Sequence, residues 1–337
     1  MKKPKVSVVM AVFNGAKFLT ESINSILNQS FSDFEFIIID DGSADDSVNI
    51  VRNFGDKRIR FFKNDKNRGL PYSLNQGIKL SRGDYLVRMD QDDVSFPKRI
   101  AIQVDYMDVH PDVDICGAAV KTTLNNHKIV SMRPEDSEEI KATLLFNNVL
   151  SHSSVIIRKK AIEREKLFYD PAIKNAEDYE FWTRCCWKLK ITNLTTPLVF
   201  YRRHQSQMVN QPTIRSIIAT SRNKMLKRFV SHPIKTELAL HSRIANGTTA
   251  TSWEEIRAVE TWLIKISIEN NQKQLVKQEA MRLVLEGQWF NVCAKSAKLG
   301  VGVIRQYLGS PITSHAFRRW DHVFILLAKI CLSLVKL

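Results

Sequence analysis

The chain contains no run of eighteen or more apolar residues among its 337. Nothing in it is therefore long enough to cross a ~30 Å bilayer as a helix. Its five cysteines, Cys116, Cys185, Cys186, Cys293 and Cys331, are odd in number and lack metal-ligand spacing. Adjacent Cys185 and Cys186 point apart on a helix and read as packing residues, a usage that fits a reducing cytoplasm. There is no convincing repeat, no low-complexity tract and no recognisable nucleic-acid motif, so no nucleic-acid partner is expected. A Gly-rich first loop is also missing. The first apolar run ends in Phe13-Asn14-Gly15-Ala16 with a single glycine, which argues against a triphosphate cradle of the nucleotidyltransferase kind. The start, Met1-Lys2-Lys3 before the apolar residues 6–13, has the outline of a signal peptide. That stretch is short and runs straight into a helical pattern, so a buried first strand is expected instead.

What is present is a globular composition, 44% apolar and 25% charged, with an unusual net charge of +15. Residues 211–337 hold 19 Lys and Arg against 8 Asp and Glu, a surplus of 11, and the rest of the chain has a surplus of only 4. A basic C-terminal part suggests a membrane surface or another polyanion as partner, or simply a solvated basic face.

Hydrophobic patterning predicts strands over residues 6–13, 34–39, 59–63 and 85–89, alternating with helices over 16–29, 45–54 and 70–81. Ser43 and the acids after it read as the start signal of the second helix. This alternation predicts an α/β, mainly parallel, doubly wound sheet. Further strands are expected at 115–122, 155–158 and 194–201, and helices at 137–146 and 177–187. A boundary is expected near 205–215, where the chain turns polar and contains Pro212. Two domains follow, 1–210 and 211–337. The second is helical, with periodicity over 214–230, 253–270, 273–287 and 290–308.

In open parallel sheets ligands bind at the carboxyl ends of the strands. Three polar clusters fall there: Asn14 after the first strand, Asp40-Asp41-Gly42-Ser43 after the second, and Asp90-Gln91-Asp92-Asp93 after the fourth. Three carboxylates in four residues repel one another unless a cation sits among them. Hard oxygen ligands suit Mg²⁺ or Mn²⁺ bridging to a phosphorylated substrate. Asp40 or Asp41 is placed to accept from a nucleobase N–H or a ribose hydroxyl.

The ordered set Val6-Ser7-Val8-Val9-Met10-Ala11-Val12-Phe13-Asn14, Ile39-Asp40-Asp41-Gly42-Ser43, Asn67-Arg68-Gly69-Leu70, Gly83-Asp84-Tyr85, Asp90-Gln91-Asp92-Asp93 and Glu177-Asp178-Tyr179-Glu180-Phe181-Trp182 resembles the family 2 glycosyltransferases of the GT-A fold. The likeness covers roughly residues 5–205 and leaves the helical remainder uncovered. The resemblance implies inverting transfer of a sugar from a nucleotide sugar, most often a UDP-sugar, to an acceptor hydroxyl. It also implies Mn²⁺ or Mg²⁺ held chiefly by Asp92, with Asp90, Asp93 and His204 as further ligands. Asp178 matches the family's general base, and Glu177 would orient it or bind acceptor hydroxyls. Ala11, Phe13 and Asn14 would line base and ribose, with Asp40 or Asp41 at the uridine. Asn67 and Arg68 would reach the nucleoside, and Asp90 and Gln91 would lie at the donor. Arg202, in Tyr201-Arg202-Arg203-His204, would contact phosphate. His152 would lie near the acceptor, and Trp182, with Tyr179, would form a sugar-stacking wall.

Residues 323–337 are almost wholly apolar apart from Lys329, Ser333 and Lys336, which share one helical stripe. A basic helix with a wide apolar face can lie in a membrane interface; a core or dimer helix is the other reading. Together these features predict a cytoplasmic protein, peripheral at the inner face of the cell membrane. The family resemblance implies as acceptor a glycan or a polyprenyl-linked molecule in cell-surface polysaccharide synthesis, and a homo-oligomer is compatible.

Overall fold

A computed structural model describes residues 3–124, 127–204, 212–313 and 318–334. The chain forms two compact units: Met1–Ile140 with Asn148–Ile218, and Lys141–Asn147 with Ala219–Leu337. The polar stretch expected to mark a boundary falls largely on residues 205–211, outside the described residues.

The first unit is built on a mixed sheet with the order β3-β2-β1-β4-β8-β6-β9-β5 and β7 hairpinned onto β6. Strands β1 (Val6–Val12), β2 (Phe34–Asp40), β3 (Ile59–Lys63) and β4 (Tyr85–Arg88) run parallel. β1, β2 and β4 are buried at every position, as a strand covered on both faces must be. Between them lie α1 (Ala16–Leu27), α2 (Ser47–Asn53) and α3 (Leu70–Leu80). α1 buries Leu19, Ile23 and Ile26, one stripe at helical spacing. α3 comes so close to β1 that a Cβ on Gly77 would lie 2.3 Å from a Val9 methyl.

The expected alternation therefore holds, with ends shifted by one or two residues. The parallel order ends at β4. β8 (Ile156–Arg158) is antiparallel to both β4 and β6 (Ile115–Leu124). β9 (Ile191–Tyr201) then runs parallel to β6, and β5 (Val94–Ser95) pairs antiparallel with it.

Besides the two-residue β5, three elements of this unit escape the sequence pattern. α4 (Arg99–Val109) buries Arg99 and Gln103 on its inner face, which breaks the apolar period. β7 (His127–Ser131) is mostly exposed, and α6 (Lys159–Glu165) is only two turns long. α5 (Ser137–Thr143) and α7 (Glu177–Cys185) stand where helices are expected.

One buried carboxylate ties the sheet's amino-terminal edge. Glu35 accepts from Ser7 Oγ (2.7 Å), Arg82 N (2.7 Å), Arg60 Nη1 (2.6 Å) and Arg82 Nε (2.9 Å). Burial works to raise its pKa, but the Ser7 hydroxyl and the two arginines outweigh that and hold it below the ordinary value. A carboxyl lowered on folding adds stability above its unfolded pKa and loses it as pH falls. Glu35→Gln should thus cost about 2 kcal/mol at neutral pH, the scale of charge-assisted hydrogen bonds. The deficit should shrink toward pH 3. Urea unfolding at the two pH values tests this, and an equal deficit at both would remove the charge from the account.

The second unit is helical: the C-terminal part of α8 (Pro212–Phe229), then α9 (Lys235–Ala245), α10 (Trp253–Lys273), α11 (Gln278–Lys295), α12 (Gly302–Gly309) and α13 (Arg318–Leu334). Most of the expected helix limits after residue 253 move, and α9 falls where no helix is expected. Asn270 closes α10 by exchanging side-chain bonds with the backbone of Val276 (2.9 and 3.1 Å), so the next helix starts at Gln278 and runs unbroken to Lys295. Leu144, Leu145 and Phe146, although carried by the first half of the sequence, are buried in this unit. Leu145 O faces His241 Nε2 at 2.9 Å, and Trp262 Nε1 donates to His241 Nδ1 at 3.3 Å. An indole N–H can only donate, so Nε2 carries the imidazole proton and donates to Leu145. Burial holds the imidazole neutral, at a pKa of about 4.

Candidate functional site

Because β1, β2 and β4 are parallel, their carboxyl ends open on the same edge of the sheet. The turns there are laced together. Gln91 accepts from Phe13 N (2.9 Å) and donates to Phe13 O (3.2 Å), joining the ends of β1 and β4. Asn14, at φ 47°, donates its N–H to Ser43 Oγ (2.9 Å) and accepts from Ala44 N (2.9 Å). Ser43 therefore holds the first turn instead of starting α2. Asp45 does that work, accepting from Ser47 N at 3.1 Å. Ala11 is buried within β1, while Phe13 and Asn14 are exposed.

The two candidates at the end of β2 separate clearly. Asp41 accepts from Asn64 Nδ2 (2.8 Å), Ser73 Oγ (3.0 Å), Arg68 N (3.1 Å) and Gly69 N (2.7 Å). Its carboxylate is occupied in bracing the 64–69 loop and the start of α3. Asp40 Oδ2 accepts from Gly42 N (3.2 Å) and Ser43 N (3.1 Å), whereas Asp40 Oδ1 is buried with no partner among the described residues, in a residue only 1% exposed. A buried acceptor left in this way costs free energy that a ligand N–H or O–H would recover. The turn that creates this difference needs glycine. Gly42 has φ +78°, and a Cβ there would meet the Lys66 carbonyl carbon at 2.7 Å. On the neighbouring loop Asn67 Oδ1 accepts from Gly69 N (3.0 Å). Arg68 lies over the Tyr72 ring at 4.7 Å and donates to its hydroxyl at 2.7 Å.

The acids after β4 diverge instead of surrounding one point. Asp90 pairs with Arg88. Asp92 Oδ2 lies 2.9 Å from His204 Nε2. Asp93 is buried, accepts from Ser153 Oγ, and takes the Arg202 N–H at 2.9 Å. Asp93, expected among the metal ligands, is thus directed into the protein. Among the described residues no group of three or more His, Cys, Asp or Glu is gathered as a metal site. Burial raises the pKa of Asp90 despite Arg88, and raises that of Asp93 far more, with the charges of Asp90 and Asp92 adding to it.

The segment after β9 is clamped across this turn. Arg202 Nε donates to Asp92 O (2.9 Å), its guanidinium lies 4.7 Å from the Phe18 ring centre, and it pairs with Glu21. His204 lies against the same Phe18 ring at 4.9 Å.

Glu177 and Asp178 open α7. Asp178 accepts from Asn148 Nδ2 (2.8 Å) and from Tyr179 N (2.7 Å). The helix N-terminus favours negative charge, yet burial raises both carboxyls, and Glu177, with the Asp178 charge beside it, reaches about 7. Glu177 Oε2 has no partner among the described residues. One short segment ties the two acidic clusters together, Asn148 holding Asp178 and Ser153 holding Asp93; Tyr201 lies within reach of both. Its phenol is pushed up to about 12 by burial and by the charges of Asp93, Asp90, Asp92 and Asp178 together.

The expectation of a sugar-stacking wall needs correction. Trp182 is 0% exposed and offers no open stacking face, and Tyr179 is buried with it. His152 is packed against Tyr169 (hydroxyl at 2.9 Å) and the edge of Trp182. Burial, with the Arg88 charge adding to it, holds its pKa well below the usual value, so the ring is neutral.

Sequence reasoning missed Arg88 and Asn148. Arg88 is buried beneath the acids, with Nε and Nη1 unpartnered among the described residues. The available signal was a lone arginine inside an apolar strand. Asn148 gave none.

Residues 7–170 match the model of the family described as Glycosyl transferase family 2. An uncharacterized glycosyltransferase of Methanocaldococcus jannaschii is 38% identical over 192 residues, 55% of this chain and 66% of that protein. The O-antigen biosynthesis glycosyltransferase WbnJ of Escherichia coli is 30% identical over 223 residues, 64% of this chain and 84% of that protein. The chain thus spans about two thirds of the length of the first of these relatives. Among solved structures, S. aureus TarS 1–349 in complex with UDP-GlcNAc superposes with a TM-score of 0.56 at 18% identity, covering 88% of this chain and 91% of that one. That likeness speaks for the GT-A fold. The sequence matches reach further, and with the acids of β4 and α7 brought together on this sheet, the chain belongs to glycosyl transferase family 2.

Proposed function

We propose that the chain is a metal-dependent inverting glycosyltransferase. It would move a sugar from a nucleotide sugar, a UDP-sugar by preference, to a hydroxyl of a glycan or lipid-linked acceptor in cell-surface polysaccharide synthesis. The observation that carries this reading is that the segment 148–153 holds both Asp178, through Asn148, and Asp93 of the acidic turn after β4, through Ser153. TarS bound to UDP-GlcNAc supports the donor class, and the O-antigen role of WbnJ supports the product class.

The acceptor oxygen attacks the anomeric carbon from the face opposite the diphosphate. The bond from that carbon to the phosphate oxygen breaks, and its electron pair leaves with the nucleoside diphosphate. Asp178 takes the acceptor proton. The Asn148 and Tyr179 bonds fix the carboxylate plane, so the base is oriented before substrate arrives. Glu177 holds acceptor hydroxyls with its unpartnered oxygen. Asp40 Oδ1 accepts from the base N–H, and Phe13 and Asn14 flank the nucleoside. Asp92 and His204, 2.9 Å apart, with Asp90 two residues before Asp92, would hold Mn²⁺ or Mg²⁺ once the ion displaced the bonds Asp92 makes to His204 and Asp90 makes to Arg88. Such an ion would neutralise charge on the leaving diphosphate. Arg202 secures the segment that carries His204.

Calorimetric titration with UDP, with and without Mn²⁺, tests the reading. Metal-dependent binding is expected, and Asp40→Ala should weaken it by about ten- to a hundredfold, the scale of one charged hydrogen bond. If UDP, GDP and dTDP all fail to bind with metal present, a nucleotide-sugar site on this sheet is ruled out. If Asp40→Ala binds UDP normally, the base-binding role is wrong.

A further inference from the structure

We propose that α12 and α13 form a docking surface for an anionic lipid membrane. This inference is independent of the transfer chemistry. α13 is apolar on two sides. Val323, Leu326 and Ile330 make a buried stripe, and Phe324, Leu327, Ala328 and Cys331 make a second, exposed one. Phe324 is 66% exposed and Leu327 41%. Beside the outer stripe lies a groove of about 590 Å³ lined by Val301, Ile304, Arg305, Leu308, Gly309 and Leu327, with Val301 69% exposed. A helix apolar on both sides is expected to be covered on both.

The charge around the patch selects the occupant. Residues 295–337 hold seven Lys and Arg and a single acid, Asp321. Lys298, Arg305 and Lys329 are exposed, and Arg305 lines the groove itself. A second copy of the chain would set this positive patch against itself, with only Asp321 and the part-buried Glu260, held by Gln306, as acids beside it among the described residues. A lipid surface rich in anionic headgroups accepts the basic residues, while Phe324, Leu327 and Val301 enter the acyl boundary. At 17 residues α13 is about 25 Å long. No helix among the described residues is long and apolar enough to cross a membrane, so this one would lie in the surface.

The test is co-sedimentation of the full chain with vesicles of phosphatidylcholine alone or with one third phosphatidylglycerol. Binding at least tenfold stronger to the anionic vesicles, and lost in high salt, is expected. The pairs Phe324→Asp with Leu327→Asp, and Arg305→Glu with Lys329→Glu, should each reduce it at least tenfold with unchanged thermal midpoint and unchanged UDP titration. The second pair keeps the test open should the first destabilise α13. Equal affinity for both vesicle types, or wild-type binding by both variants, overturns the proposal. Sedimentation velocity separates the rival: a dimer broken by Phe324→Asp with Leu327→Asp, with no vesicle binding, would assign the surface to a second copy instead.

Discussion

Asp178→Asn is expected to lower kcat for sugar transfer by about 10²- to 10⁴-fold, the range lost when a positioned general base is removed. Nucleotide binding should stay within about twofold. The change is nearly isosteric, and an amide oxygen still accepts from Asn148 Nδ2 or Tyr179 N. What disappears is proton affinity. The same carboxyl predicts a pH profile. Burial raises Asp178, and Glu177 reaches about 7. A base must be ionised to act, so kcat/KM should rise with pH through a limb lying above the ordinary carboxylate range. Because the two groups titrate as a pair, the apparent value belongs to both. Glu177→Gln removes one member, and the limb should then move to lower pH. Rates measured from pH 5 to 9 for the wild type and both variants check this. Asp178→Asn turning over within tenfold of the wild type would end its assignment as base, and a limb unmoved in Glu177→Gln would uncouple the pair.

Arg88→Met should destabilise the protein by about 3–5 kcal/mol, the cost of leaving a buried charge without its partner. Burial acts against the guanidinium's charge, but Asp90, Tyr169 and Glu177 outweigh it and raise its pKa above the ordinary value. Arg88, with the buried Arg99 behind it, is thus a cation that makes these acids tolerable beneath the site. Without it the Asp90 carboxyl, already raised, moves further up. A carboxyl raised on folding lends stability only while protonated, and loses it as pH climbs through the folded value. The deficit should therefore be larger at pH 8 than at pH 5. Arg88→Lys, which keeps the charge and a bond to Asp90, should recover part of it. Urea unfolding followed by circular dichroism at both pH values decides the matter, and a loss under about 1 kcal/mol would show that Asp90 does not need this partner.

The sequence by itself determined the alternation from β1 to β4, the helical character of the second half and the clusters at the strand ends. These depend on local periodicity and on turn residues, which are written in consecutive positions. It also carried the Glu177-Asp178 pair, because the motif is contiguous. It could not read α4, whose inner face is polar. Nor could it decide between Asp40 and Asp41. That choice depends on Asn64, Arg68, Gly69 and Ser73 claiming Asp41 from 23 to 32 residues away. Tertiary structure alone set Asp93 against Ser153 and buried Trp182, so that a motif acid became an anchor and an expected sugar wall became core. It alone assigned Lys141–Asn147 to the helical unit. Most of all, it brought Asp178 to the acids of β4. Insertion of antiparallel β8 between β4 and β6 draws the Asn148–Ser154 segment into the site, and only there can Asn148 and Ser153 hold acids 30 and 60 residues away.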